Sequence, residues 1–292
     1  MNFCDHEHPL VQELTASFRC QSQGPLHDDA MFVALAFNWV RDEIKYVILN
    51  DWTVGVEYTI EHRKGNCGTK ACLLGAILKA GGIVDIRFGF QTIPTSDTFF
   101  FVPQWVTGEC SNRSVHMTVV ALLNGEWTHL DTSLDMVLAR SLNVSCGGRR
   151  GDMFECVFDG KNHAVMGGRG EFDQTKVTVL QNLDKYMIKK SRLQPAFRNC
   201  FNLTFEFCRA NAQNFACKES LKKRVEKHFV SKHPVVCQEI AYLLTQQRAA
   251  VTPKESLAKR VEEHCGSKYP VVCQQISDLL PLQRTAVIAK QA

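Results

Sequence analysis

The sequence predicts an α+β core over residues 1–195, followed by an all-α region over residues 196–292. Three observations carry this reading. Helix-period and strand-period segments both occur in the first two-thirds of the chain. An Asn124-Gly125 turn joins two strand-like runs, which is the strongest short hairpin signal a sequence offers. A stretch in the last third repeats itself with helical periodicity. A chain of 292 residues holds one large domain or two modest ones.

Composition narrows the function classes. The content of 45% hydrophobic and 22% charged residues is ordinary for a globular protein. The net charge of +4 is small and its signs are mixed, so no dense basic stripe points to nucleic acid. No apolar run approaches the roughly 18 to 20 residues of a membrane span. The start, MNFCDHEHPLVQEL, lacks the apolar core of a secretory signal. The 13 cysteines are odd in number and form no regular framework, so reduced thiols and a cytoplasmic location are expected. In that compartment the sequons at Asn112, Asn143 and Asn202 carry no meaning.

The elements follow in order. DDAMFVALAFNWVRDEIKYVIL (28–49) opens with acidic residues suited to a helix start, and its apolar positions form a wide face, so it reads as one mostly buried helix. Residues 66–80 read as a second helix with Leu73, Leu74, Ile77 and Leu78 inward and Gly81-Gly82 as its stop. IVDIRFGF (83–90) alternates like a strand. A long aromatic connection follows, then the hairpin SVHMTVVALLNGEWTHLDTS. CGGRRGD is a glycine-rich turn, not a phosphate loop, because the GK[ST] ending is absent. Residues 218–251 return as 254–287, with 23 of 34 aligned positions identical. Each copy reads as two amphipathic helices. Leu221 and Val225 line the first; Pro234 opens the second, lined by Val236, Ile240 and Leu243 or Leu244. Two copies are fewer than a free-standing solenoid needs, so the repeat is expected to pack on the core or on a protein partner.

Candidate chemistry starts at HRKGNCGTKACLLGAILKAGGI (62–83). A thiol becomes a useful nucleophile as thiolate, and a helix N-terminus with unpaired backbone N–H groups favours that form. Cys67 sits where such a helix begins; Cys72, inside it, reads as inert packing. With Asn124-Gly125 as a two-residue turn, Leu123 faces Glu126 and Thr118 faces Asp131. His116 then lies on the same strand face, a diagonal neighbour of Asp131. An imidazole that takes the thiol proton and a carboxylate that fixes its tautomer are what a cysteine nucleophile needs. His129 shares that face and is a rival base on this count alone.

In the order WVRDEIKY, KGNCGTKACLLGAILKAGGI, RFGF and VHMTVVALLNGEWTHLDTS, the chain resembles the transglutaminase-like superfamily over roughly residues 25–140. The shared features are a Cys opening a helix that ends in a Gly-Ile corner, a His opening a strand, and an Asp after a G-x-W turn. The resemblance implies a papain-like, transglutaminase-like core with the nucleophile helix packed on an antiparallel sheet. It assigns Cys67 as nucleophile, His116 rather than His129 as base, and Asp131 as orienting acid. It departs at Met117-Thr118, where the family often carries an aromatic residue, and at Thr132-Ser133, where Pro-Thr is common. For the oxyanion, the Cys67 backbone N–H is one candidate donor and Trp52 the nearest side-chain candidate, with ordinary packing as its alternative.

The implied activity is cysteine-dependent acyl transfer through a thioester. An amide, ester or thioester serves as acyl donor and an amine or water as acceptor. Residues 91–113, with Phe101 and Trp105, are candidates for a substrate-selecting loop, or they only cover the sheet. No cofactor and no metal is expected: paired zinc CxxC motifs and a carboxylate-rich calcium loop are both missing, and Cys4-Asp5-His6-Glu7-His8 reads as a solvated terminus. A non-catalytic binding or scaffold module is the second function class. An arylamine acetyltransferase-like enzyme using an acyl-coenzyme A donor is a third.

Overall fold

Asn124 and Gly125 adopt left-handed backbone conformations, φ 51° and 83°. A two-residue hairpin turn of this kind requires positive φ at both positions, and Asn and Gly reach it at least cost. In this computed structural model the turn joins β4 (Arg113–Leu123) to β5 (Glu126–Leu130). It sets Leu123 opposite Glu126 and carries the register back to Val119 opposite Leu130. With β3 (Ile86–Pro94) and β6 (Thr178–Leu180) they form an antiparallel sheet in the order β5-β4-β3-β6. The structure describes residues 4–22, 29–95, 99, 101–107, 113–145, 156–165, 177–180, 183, 195–211 and 218–251. The CGGRRGD turn and the second repeat copy (254–287) lie outside them.

Helices supply the other layer. Pro9 opens α1 (Pro9–Gln21), and His8 Nδ1 accepts the Leu10 N–H at 3.3 Å. The next helix, α2 (Asp29–Glu43), is shorter than the 28–49 expected from periodicity. Lys45 N–H donates to Arg63 O instead of continuing the helix, and Lys45–Tyr46 (β1) pairs in parallel with Lys64–Gly65 (β2). The aromatic and β-branched run Tyr46-Val47-Ile48 suits extended backbone. Between the two strands lies α3 (Val56–His62).

The central helix is α4 (Cys67–Ala80), buried from Cys67 through Leu78. Its residues share one core with α1, α2 and the sheet: Phe32, Phe37, Leu73, Leu74, Ile77, Phe88 and Val119. Gly75 lets the Phe88 ring approach, since a Cβ there would stand 3.0 Å from Phe88 Cζ. Gly81 stops the helix as expected and is needed for space, because a Cβ would lie 2.1 Å from Phe32 Cζ.

After α5 (Gln104–Thr107) and α6 (Met136–Ser145) comes α7 (Pro195–Ala210). Ala196, Phe197, Cys200, Phe201, Thr204, Phe205 and Cys208 form its buried stripe at helical spacing. Phe99 stacks edge-on against Phe201 at 5.2 Å. The chain divides into compact units at residues 1–222 and 223–292, so α7 belongs to the first unit rather than to a helical region starting at 196. Asn202 of the third sequon is a clamp: Ile48 N–H donates to its Oδ1 at 2.8 Å and its Nδ2 donates to Ile48 O at 3.2 Å.

The first repeat copy forms α8 (Lys218–Lys232) and α9 (Pro234–Val251). Within the second unit Val225, Phe229, Cys237 and Ile240 are buried, and the Phe229 and His233 rings lie 5.5 Å apart. No helix among the described residues is long and apolar enough to cross a membrane.

Candidate active site

Asn66 and Thr69 define where α4 begins. Asn66 Oδ1 accepts the Thr69 N–H at 2.9 Å, and the Asn66 N–H donates to Thr69 Oγ1 at 3.0 Å, a reciprocal capping box. Cys67 is thereby fixed at the first helical position, where the backbone N–H has no intrahelical partner. Gly65 must stay a glycine for this turn, since a Cβ would meet Thr69 Oγ1 at 2.6 Å.

The hairpin register brings His116 and Asp131 together. His116 Nε2 lies 2.7 Å from Asp131 Oδ2. The Cys67 thiol acts on the same imidazole and helps to hold its proton. Asp131 is held in turn by the Ser133 N–H at 2.9 Å. All three side chains are buried, at 7%, 4% and 1% exposure.

Electrostatics follow from that chain. Burial lowers the pKa of His116, but the charge of Asp131 and the hydrogen bonds to Asp131 and Cys67 outweigh it and raise it to about 10. Asp131 is pushed up by burial and pulled below the usual carboxylate range by His116 and Ser133. His129, the rival base, meets His163: its backbone N–H donates to His163 Nδ1 at 3.1 Å, and burial followed by the charge of His163 depresses its pKa to about 4.

Near these three side chains lies a buried ionic group that sequence reasoning missed. Lys70, fully buried and one turn along from Cys67, donates from Nζ to Arg41 O at 3.0 Å and Ile44 O at 2.5 Å. Burial pulls its pKa down to about 7, against the opposing pull of Asp135. Arg209 of α7 pairs with Asp135 (Nη2 to Oδ2, 2.6 Å) and donates to Tyr46 O at 2.8 Å. Tyr46 sits one residue pair before the cap, opposite Gly65. Burial, then Cys67 and Asp131, raises its pKa, so the phenol stays neutral.

The remaining candidates divide. Trp52 Nε1 is buried with no hydrogen-bond partner. Phe101, expected in a substrate loop, is 1% exposed and packed against Phe99 and Phe205, because the aromatic run matches the apolar stripe of α7. The Trp105 side chain lies outside the described residues. The Cys4–His8 stretch is half-buried rather than a solvated terminus: Cys4 hydrogen-bonds Cys72, and that bond, with burial, raises the Cys72 thiol well above its ordinary range. Among the described residues no group of three or more His, Cys, Asp or Glu side chains is arranged to hold a metal ion.

No curated protein and no solved structure matches the chain. A match to the transglutaminase-like superfamily covers residues 19–132 and ends one residue after Asp131. It takes in α4, β3, β4 and β5 and leaves α6 and α7 outside. Over that span the chain is similar to the transglutaminase-like superfamily.

Proposed function

We propose that this chain is a cysteine acyltransferase or amidohydrolase that works through a thioester on Cys67. The observation that carries the reading is the buried His116–Asp131 pair, 2.7 Å apart, with the Cys67 thiol acting on the same imidazole. His116, raised to about 10, carries a proton at neutral pH that it can give to a leaving group. Cys67 Sγ attacks the carbonyl carbon of an amide, ester or thioester. The C–N, C–O or C–S bond breaks, and the leaving group takes the proton from His116. An amine or water then attacks the thioester carbonyl, returns a proton to His116 and frees the sulfur.

The oxyanion of each step needs fixed donors. The Cys67 backbone N–H at the start of α4 is one. Trp52 is the side-chain donor we assign, supported by its buried, unpartnered Nε1. Asp131 holds the imidazole through Nε2 and stabilises its positive charge.

The test is alkylation at neutral pH with iodoacetamide, each cysteine mapped by mass spectrometry. Cys67 is expected to outpace Cys72, Cys156 and Cys208, whose thiols are raised well above their ordinary range. His116→Ala is expected to remove that lead, at a cost of tenfold or more, and Cys67→Ala to abolish incorporation of a fluorescent primary amine into acyl-donor peptides. Cys67 labelling no faster than these three would sink the reading.

A further inference from the structure

One polar atom beside Cys67 is used by neither the cap nor the proposed mechanism. Asn66 is 1% exposed. Its Oδ1 is committed to the Thr69 N–H, which fixes the amide orientation, since a flipped amide would set two N–H donors against each other. Nδ2 is left buried with no hydrogen-bond partner. Burying an amide donor unmatched is costly. Capping does not account for that cost, because Ser, Thr or Asp would accept the Thr69 N–H and leave no such donor. The orphan belongs to the N-cap of a 14-residue helix, an end where negative charge is favoured, on the residue adjoining Cys67.

We propose that Asn66 Nδ2 is a hydrogen-bond donor to the acyl oxygen of the substrate on Cys67, and so a catalytic residue for amide, ester and thioester carbonyls. The assignment rests on the acyl-transfer reading above. The oxygen becomes an oxyanion as the S–C bond forms, and a donor that is already desolvated meets it without giving up another partner. The transition state supplies the acceptor that the donor lacks within the protein.

The test compares two reactions of Cys67 in the full-length protein. Acylation by p-nitrophenyl acetate forms the S–C bond, breaks the ester C–O bond and releases p-nitrophenolate through an oxyanion. Alkylation by iodoacetamide displaces iodide with no oxyanion. Asn66→Ser keeps a neutral cap, and Asn66→Asp keeps the cap with nearly the same shape; each loses the amide donor. Both are expected to lower the acylation-to-alkylation ratio, by roughly 10²–10³-fold for loss of an oxyanion donor. An unchanged ratio in both variants overturns the assignment, as does acylation and alkylation falling in parallel, which is the mark of a cap alone. A wild-type protein that alkylates at Cys67 but never acylates there overturns the acyl-transfer reading itself.

Discussion

In the proposed reaction Asp131 acts on Cys67 through His116, so its replacement separates charge from shape. Asp131→Asn keeps the size of the side chain and removes the carboxylate that outweighs burial at His116. The pKa of His116 is then expected to fall from about 10 to 6.5 or below, since burial alone pulls it down. The alkaline limb of the acyl-transfer pH profile, where His116 loses the proton the leaving group needs, is expected to move to lower pH, and the acyl-transfer rate to fall by roughly 10²-fold or more. A profile unmoved by the substitution would show that Asp131 does not set the charge of His116. At this scale much of the site was legible. The hairpin turn fixes a period of two, and counting outward from Asn124-Gly125 sets His116 and Asp131 side by side. Lys70 was not legible, because a single lysine within an apolar helical run has no spacing that marks it as buried. Asn66 could be read as a cap; that its second nitrogen lacks a partner depends on every neighbour at once.

The elements hold the site through a few close contacts, and these make stability predictions. Arg19 stacks on the Phe32 ring at 3.9 Å and donates from Nε to Gly81 O at 2.9 Å, so the ring over Gly81 has little room to yield. Gly81→Ala is expected to cost about 1–3 kcal/mol or more through overpacking, read as a lower urea midpoint. Phe32→Leu should recover part of that loss; strictly additive losses would refute the contact. The ion pair between α7 and the start of α6 is of another kind. Arg209 and Asp135 side chains are 9% and 6% exposed. Arg209→Met leaves a buried carboxylate uncompensated and is expected to cost about 3–5 kcal/mol, while adding Asp135→Leu should return much of it. A double variant no more stable than the single would rule out the stranded charge as the cause. Helix existence was visible in the periodicity of α2, α4 and the repeat, but the end of α2 was not. Its apolar run continues past Glu43, and the competing β1–β2 pairing comes from residues 64–65, about twenty positions away in sequence.

Across the molecule, α2, α4, α7 and the loop after β5 meet at one buried set of charges, and its two large pKa shifts oppose each other with pH. His116 is raised from 6.5 to about 10, so its contribution to stability is complete below about pH 6.5 and is lost as pH rises through 10. Lys70 is lowered from 10.5 to about 7, so it is a liability that is complete below about pH 7 and fades as pH rises towards 10.5. Asp131 and Asp135 are both lowered, and their contribution fails only on the acid side, as pH falls below the ordinary carboxylate range. Between about pH 7 and 10 the losses at His116 and the relief at Lys70 offset one another, and wild-type stability is expected to be nearly flat. Lys70→Met removes one member of the balance and leaves Asp135 paired with Arg209. Its unfolding free energy should then fall with rising pH, with a slope of up to about 1.4 kcal/mol per pH unit, the limit for one proton. His116→Gln removes the other member, and the slope should change sign. Urea unfolding of the three proteins across that interval checks the argument: parallel curves would mean that these two side chains do not take up and release their protons against each other.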